Sequence, residues 1–146
     1  MGRASVLSFL GNIEKRVEPS REFPSIDDEY DDLPSGPGAY IIRAAGRTTW
    51  PYPWGRSPVF YIGMAKVLRI RLWDHWDQAR QAKRDGGNIR DRPVHNYEAA
   101  YASLYHVVPT WQRMTPDSLE QELLARFINA YGARPIANGQ TRWDRV

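Results

Sequence analysis

Apolar residues recur at helical spacing in two stretches of the chain. In residues 67–85 they fall on one face of a helix, and a Gly-Gly-Asn run from Gly86 ends the pattern. The positions on that face are Leu68, Leu72, His75 or Trp76, and Ala79. The second stretch, residues 116–131, carries the apolar face Leu119, Leu123, Leu124, Phe127 and Tyr131. Thr115 is a suitable N-cap for this second helix, and Pro116 suits its first position. Gly132 is a suitable residue to end it.

Three runs of β-forming residues predict strands. They are GPGAYIIRA (36–44), VFYIGMA (59–65) and YASLYHVV (101–108). Residues 45–58, rich in proline, glycine and aromatics, predict a loop between the first two strands. The order β-β-α-β-α predicts a small α/β (α+β) domain, with a three-stranded sheet flanked by helices. This domain is expected to span residues 33–146, behind an N-terminal helix (5–17) and an acidic arm that together make up residues 1–32.

Length and composition restrict the function classes. A chain of 146 residues suits one domain with one core. No apolar run approaches the roughly 18–20 residues of a membrane span, and the N-terminus does not resemble a secretory signal, so a cytoplasmic location without a membrane partner is expected. The chain has no cysteine, which excludes disulfides, zinc–thiolate sites and thiol catalysis.

Charge is unevenly distributed along the chain. Residues 1–35 carry a net charge of −4, from four basic and eight acidic residues, whereas residues 36–146 carry +7, from sixteen and nine. The basic part would attract a polyanion. The acidic arm is interpreted first as a solvated loop; the alternative is a lid that mimics phosphate and covers a basic cleft.

Four short motifs follow one another in a fixed order. Gly38-Ala39-Tyr40 follows Leu33-Pro34 and Pro37, and Tyr61-Ile62-Gly63 comes later at the end of a strand. Arg71 lies ten residues after Tyr61, and His75 lies one helical turn further on. Glu120 opens an E-x-x-L-L-x-x-F pattern that is followed by Pro135 and Asn138.

This set resembles the GIY-YIG nuclease family over residues 33–139. The opening motif is similar to that of the incision domain of bacterial excision-repair nucleases, and His75 occupies a position where homing endonucleases of the family also carry histidine. Ala39 and Met64 depart from the family pattern, Met64 standing where the repair enzymes have lysine. The segment from Glu120 to Asn138 and the loop between the two tyrosines are longer than in the repair enzymes.

The resemblance implies a single-metal phosphodiesterase. Glu120 would ligate Mg²⁺ or Mn²⁺, for which hard oxygen ligands are suited. Arg71 would clamp phosphate. Either Tyr40 or Tyr61 could take a proton from water if its pKa, ordinarily about 10, were lowered; the repair enzymes favour Tyr61.

Two further family positions and two histidines outside the motifs complete the candidate chemistry. His75 is either an acid or base, because histidine titrates near neutral pH, or structural. Asn138 would hold the site together through hydrogen bonds. His95 and His106 are assigned no role.

Residues outside the motifs are candidates for nucleic-acid binding. They are Arg47, Trp54, Arg56, Lys66 and Arg69. The aromatic loop 46–56 either stacks on bases or folds back on the core. The sequence therefore predicts a metal-dependent nuclease acting on nucleic acid, DNA rather than RNA, with specificity supplied by loops, a homodimer or a partner protein. The alternatives are an inactive nucleic-acid-binding module of the same fold and a partner-regulated, toxin-like nuclease.

Overall fold

An antiparallel sheet forms the centre of the protein. The computed structural model describes residues 7–11, 22–23, 26, 29–86 and 93–138. The strands are β1 (Glu22–Phe23), β2 (Gly38–Ala44), β3 (Trp50–Tyr52), β4 (Gly55–Ser57), β5 (Val59–Ala65) and β6 (Ser103–Pro109). The main sheet has the order β1-β6-β2-β5, and β3 with β4 forms a separate hairpin. The predicted three-stranded sheet is confirmed as β6-β2-β5, with the two-residue β1 added at one edge.

Three α-helices accompany the sheet. They are α1 (Leu68–Arg84), α2 (Pro93–Ala100) and α3 (Pro116–Tyr131). The helices predicted over residues 67–85 and 116–131 are confirmed as α1 and α3. The cap of α3 is also as predicted: Ser118 N–H donates to Thr115 Oγ1 at 3.1 Å, and Gly132 ends the helix with φ of 87°. The sequence analysis did not predict helix α2.

The sheet is covered on both faces. Tyr40 and Ile42 of β2 lie with Leu68 and Leu72 of α1 and with Val94 of α2 in one buried cluster. The second cluster combines the alternate strand residues Ala39, Ile41 and Ile62 with the apolar face of α3 and with Leu7, Phe9 and Leu10. This alternation is what a two-sided strand requires.

A β-bulge interrupts the pairing of β2 with β5. Ile42 lies opposite Tyr61, but Arg43 lies opposite Val59, so Phe60 is the extra residue. Phe60 and Tyr61 therefore belong to the same cluster, the one beneath α1 and α2. Tyr61 pairs with Ile42 in the regular part of the ladder and so lies on the same face of the sheet as Tyr40, and the bulge turns Phe60 to that face as well.

The segment predicted as a loop contains the β3–β4 hairpin, which mostly packs back on the core. Trp50 contacts Phe60, with ring centroids 5.5 Å apart, and Tyr52 contacts Phe127 at 5.2 Å. Trp54, at the turn, keeps 69% of its surface exposed. Of the two interpretations of this loop, folding back on the core applies to Trp50 and Tyr52.

The N-terminal region is described only in part. Residues 8–11 of the predicted helix form a 3-10 turn; residues 5–6 and 12–17 lie outside the described residues. In the arm, β1 pairs with β6, Tyr30–Asp32 forms a 3-10 turn, and Ile26 and Leu33 are buried. No helix within the described ranges is long and apolar enough to cross a membrane.

Candidate active site at the edge of the sheet

Polar side chains from several elements lie near β5, an edge strand of the sheet. The residues that the sequence selected come from β2 (Tyr40), β5 (Tyr61), α1 (Arg71 and His75), α3 (Glu120) and the 3-10 turn Ile136–Asn138 (Asn138). Because α1 and α3 pack on opposite faces of the sheet, their side chains can meet only around an edge. Contacts and electrostatic interactions connect five of the six, and Asn138 binds the backbone of β5.

Tyr40 and His75 form the buried centre of this group. Tyr40 Oη lies 2.7 Å from His75 Nε2, and neither residue is exposed. The Tyr61 ring lies 6.1 Å from that of Tyr40 and 5.7 Å from that of His75, measured between centroids. Gly63 allows this arrangement, because a Cβ there would lie 2.5 Å from Tyr40 Oη.

Arg71 reaches Tyr40 from the exposed surface of α1. Its Nη1 donates to Met64 O at 3.3 Å, and its guanidinium is close enough to the phenol to lower the pKa of Tyr40. Burial and the neighbouring Tyr61 raise the pKa of Tyr40 well above 10, although Arg71 opposes this shift. The lowered pKa that a base would need is therefore not found for Tyr40, so this phenol stays protonated unless another group accepts its proton.

Glu120 lies half-buried near the start of α3. Burial raises the pKa of its carboxyl, Asp117 raises it further, and the charges of Arg134 and Arg71 oppose the shift. Arg71 therefore interacts electrostatically with both Tyr40 and Glu120. An ionised carboxylate that is partly desolvated is a favourable ligand for a hard cation.

Asn138 holds the outer edge of β5. Its Oδ1 accepts from Ile62 N–H at 2.9 Å, and its Nδ2 donates to Ile62 O at 2.8 Å. The amide thus satisfies both backbone groups of the residue that follows Tyr61. It acts on the backbone of the strand that carries Tyr61.

The predicted nucleic-acid-binding residues do not form one group. Arg69 is tied to the fold, because its guanidinium donates to Leu33 O at 2.8 Å and to Asp31 O at 3.1 Å. Arg56 donates to Thr49 O within the hairpin at 2.8 Å. Arg47 and Lys66 are exposed.

Trp54 lies at the C-terminal end of α3, whereas Glu120 lies near the N-terminal end. Its N–H donates to Tyr131 O, and a Cβ on Gly132 would meet its ring at 3.0 Å. With a rise of about 1.5 Å per residue, Gly132 stands about 18 Å along α3 from Glu120.

Sequence reasoning missed a buried carboxylate behind His75. Both carboxylate oxygens of Glu98, in α2, lie 3.1 Å from His75 Nδ1. It also accepts from Tyr105 Oη at 2.6 Å and lies 3.0 Å from His95 Nδ1. His95 therefore has a polar context after all, and its spacing of three from Glu98 would have indicated this had α2 been predicted.

His106, which was also left out, pairs with Arg43. Arg43 Nε donates to its Nε2 at 3.1 Å. Both residues are buried.

His75, His95 and Glu98 are also side chains of types that ligate metals. Their ligand atoms lie within 4.8 Å of one another, and no other such group of three is found among the described residues. The distances from the carboxylate, 3.0 and 3.1 Å, are those of hydrogen bonds. Burial acts to raise the pKa of Glu98, but the charge and hydrogen bond of His75 and the bonds from His95 and Tyr105 together lower it. A charged, hydrogen-bonded carboxylate accounts for the cluster without an ion.

No protein-family model, curated protein or solved structure matches this chain.

Proposed function

We propose that this chain is a divalent-metal-dependent nuclease of the GIY-YIG type, which hydrolyses phosphodiester bonds in nucleic acid, DNA rather than RNA. One observation carries the proposal. The residues that the motifs select are spread over 99 positions, from Tyr40 to Asn138, yet they gather at β5. Arg71 interacts electrostatically with both Tyr40 and Glu120, so a basic, an acidic and a proton-transferring group share one site.

The donor chemistry fits Mg²⁺ or Mn²⁺ held by Glu120. Mg²⁺ commonly binds one or two carboxylates, several waters and the substrate phosphate. Glu120 offers one partly desolvated carboxylate, and Asp117, three residues earlier, is close enough to affect its pKa. When bound, the ion supplies Lewis acidity to a phosphoryl oxygen.

Arg71 binds the phosphate. A guanidinium donates to two phosphate oxygens at once and stays charged while negative charge builds up. Arg71 is exposed and close enough to Tyr40 to affect its pKa. A phosphate held by Arg71 would therefore lie near Tyr40.

Tyr40 and His75 together take the proton of the attacking water. The O–H bond of water breaks as its oxygen bonds to phosphorus, the proton passes to Tyr40 Oη, and the Tyr40 proton passes to His75 Nε2 at 2.7 Å. The ester bond to the leaving oxygen breaks, and that alkoxide takes a proton from solvent. His75 then releases its proton through Tyr40 to solvent, which balances the proton that the alkoxide took up. This assignment favours Tyr40 over Tyr61 because Tyr40 has an acceptor for its proton; Tyr61, 8% exposed, orients water or phosphate.

Cleavage of supercoiled plasmid and of labelled oligonucleotides tests the proposal. With Mg²⁺ or Mn²⁺ present, the wild type should cleave, and EDTA should stop it. Glu120→Gln should lower the rate by at least about 100-fold. The matched control is Glu122→Gln on the same helix, whose carboxylate pairs with Arg126 at 2.8 Å and whose loss should leave the rate unchanged. Metal-independent cleavage, or equal rates for both variants, would refute the proposed site.

A further inference from the structure

One ring nitrogen of His75 faces Tyr40. Tyr40 Oη lies 2.7 Å from His75 Nε2, and both residues are fully buried. Either atom could donate in this contact, so the contact on the other side of the ring decides the tautomer.

The contact on the other side of the ring fixes the tautomer. Nδ1 of His75 faces both oxygens of Glu98 at 3.1 Å. An ionised carboxylate only accepts hydrogen bonds, so Nδ1 must donate. In neutral His75 the ring proton is therefore on Nδ1, and the bare Nε2 accepts from Tyr40 Oη.

Glu98 is itself held in place from two directions. His95 Nδ1 lies 3.0 Å from Oε1, and Tyr105 Oη donates to Oε2 at 2.6 Å. The side chain of Glu98 is 1% exposed. A buried carboxylate with three donors has its hydrogen-bonding capacity engaged in one geometry.

We infer that Glu98 is a positioning residue for phosphodiester hydrolysis: it holds His75 with Nδ1 protonated and Nε2 aimed at Tyr40, and it stabilises the imidazolium that forms when Tyr40 gives up its proton. The arrangement is Tyr40–His75–Glu98, with the carboxylate acting through histidine. Its kinetic consequence rests on the proposed nuclease activity, whereas its structural consequence, the tautomer, does not.

The first test is the protonation of His75 in the wild type. Two-bond ¹H–¹⁵N correlation NMR distinguishes a protonated from a bare ring nitrogen, and His75→Gln assigns the signals. Near neutral pH, neutral His75 should show Nδ1–H and bare Nε2. Nε2–H would overturn the inference, whether or not the protein cleaves nucleic acid.

The second test is kinetic. Glu98→Gln replaces one acceptor oxygen with an NH₂ donor, so the His75 tautomer should shift towards Nε2–H and deprive Tyr40 of its acceptor. We expect kcat to fall by about 10²–10⁴-fold, with KM changed less than about threefold. Glu98→Asp, which keeps the charge, should recover part of kcat.

Two controls separate positioning from other roles. Tyr105→Phe removes one donor to Glu98 but leaves the carboxylate, so the His75 tautomer should not change. A folded Glu98→Gln protein with unchanged kcat would overturn the inference. So would a stoichiometric transition-metal ion in the purified wild type that is lost in Glu98→Gln but retained in Glu120→Gln, because His75, His95 and Glu98 would then be ligands. If the wild type shows the expected tautomer but does not cleave nucleic acid, the proposed nuclease activity is wrong. The conclusion that Glu98 fixes the tautomer of His75 would still hold.

Discussion

Arg71 connects the two sides of the candidate site at the scale of single residues. Its charge opposes the raised pKa of both Tyr40 and Glu120. The sequence indicated Arg71 through its spacing from Tyr61 alone. For Glu98 the sequence offers only the spacing of three from His95, which is informative once α2 is known. Its partners His75 and Tyr105 lie in other elements, and such contacts follow from folding rather than from spacing.

Glu120 should make the metal-free protein less stable at neutral pH. Its carboxyl pKa is raised in the fold, so its contribution to stability is present below the ordinary value of 4.5 and is lost as pH rises through the raised value. Glu120→Gln should therefore raise the melting temperature slightly at pH 7. Scanning fluorimetry measures this, and a lower melting temperature at pH 7 than that of wild type would contradict it.

Because Glu120 is the proposed metal ligand, divalent ions should stabilise the wild type. Binding to the folded state adds about 2.7 kcal/mol when the ion is at about 100 times its Kd. Melting temperature should rise with Mg²⁺ or Mn²⁺ in wild type and in Glu122→Gln. Glu120→Gln should lose most of this rise, and an equal rise in all three would mean that the ion binds elsewhere.

Glu98 has the opposite pH dependence. Its pKa is lowered from 4.5, so the stability it contributes is present above pH 4.5 and is lost as pH falls through the lower, folded value. Between pH 6 and pH 3 the wild type should lose more stability than Glu98→Gln does. Urea unfolding at a series of pH values measures the difference, and parallel curves would contradict it.

At the scale of elements, Gly63 allows Tyr40 of β2 and Tyr61 of β5 to lie close together. A Cβ at this position would lie 2.5 Å from Tyr40 Oη and 2.8 Å from Tyr61 Cε2. Gly63→Ala should destabilise the protein by about 1–3 kcal/mol and displace Tyr40 from His75, with loss of cleavage. Chemical denaturation and the plasmid assay measure the two effects.

Gly46→Ala is the control for that substitution. Nothing lies within 4 Å of a Cβ there, so its stability change should stay within about 0.5 kcal/mol. Similar losses in the two variants would show that the effect does not depend on contact with Tyr40.

The elements differ in how far the sequence could predict them. Helices α1 and α3 were predictable because their apolar faces are periodic and, in α3, because Thr115 and Gly132 mark both ends. Helix α2 has eight residues, and two of its three buried residues are His95 and Glu98, so it has no apolar face to detect. The bulge at Phe60 depends on strand register, which a single strand's sequence does not encode.

At the scale of the whole molecule, the N-terminal segment contributes to the core. Leu7 and Leu10 are buried in the cluster that covers α3, and Arg126 donates to Leu10 O at 2.7 Å. Each buried side chain contributes about 1.5–3 kcal/mol. A truncation that removes residues 1–32 also removes Leu7 and Leu10, so it should lower the melting temperature and is a poor test of the acidic arm.

Charge neutralisation tests the arm instead. Asp31 and Asp32 are exposed, and replacing both with asparagine removes charge without removing core. If the arm acts as an inhibitory lid, cleavage by the double variant should be faster than by wild type. An unchanged rate would favour the solvated-loop interpretation for these two positions.

The bonds between Asn138 and Ile62 also limit how the molecule can assemble. Strand β5 is one edge of the sheet, and an exposed edge offers backbone groups to which another chain can add a strand. Asn138 already occupies both backbone groups of Ile62, in the middle of β5. Two copies of this chain therefore cannot join their sheets continuously along β5 while Asn138 stays in place. If the proposed nuclease cuts both strands of a duplex as a dimer, that dimer would have to form through another surface, and the β5 edge of each copy would stay uncovered.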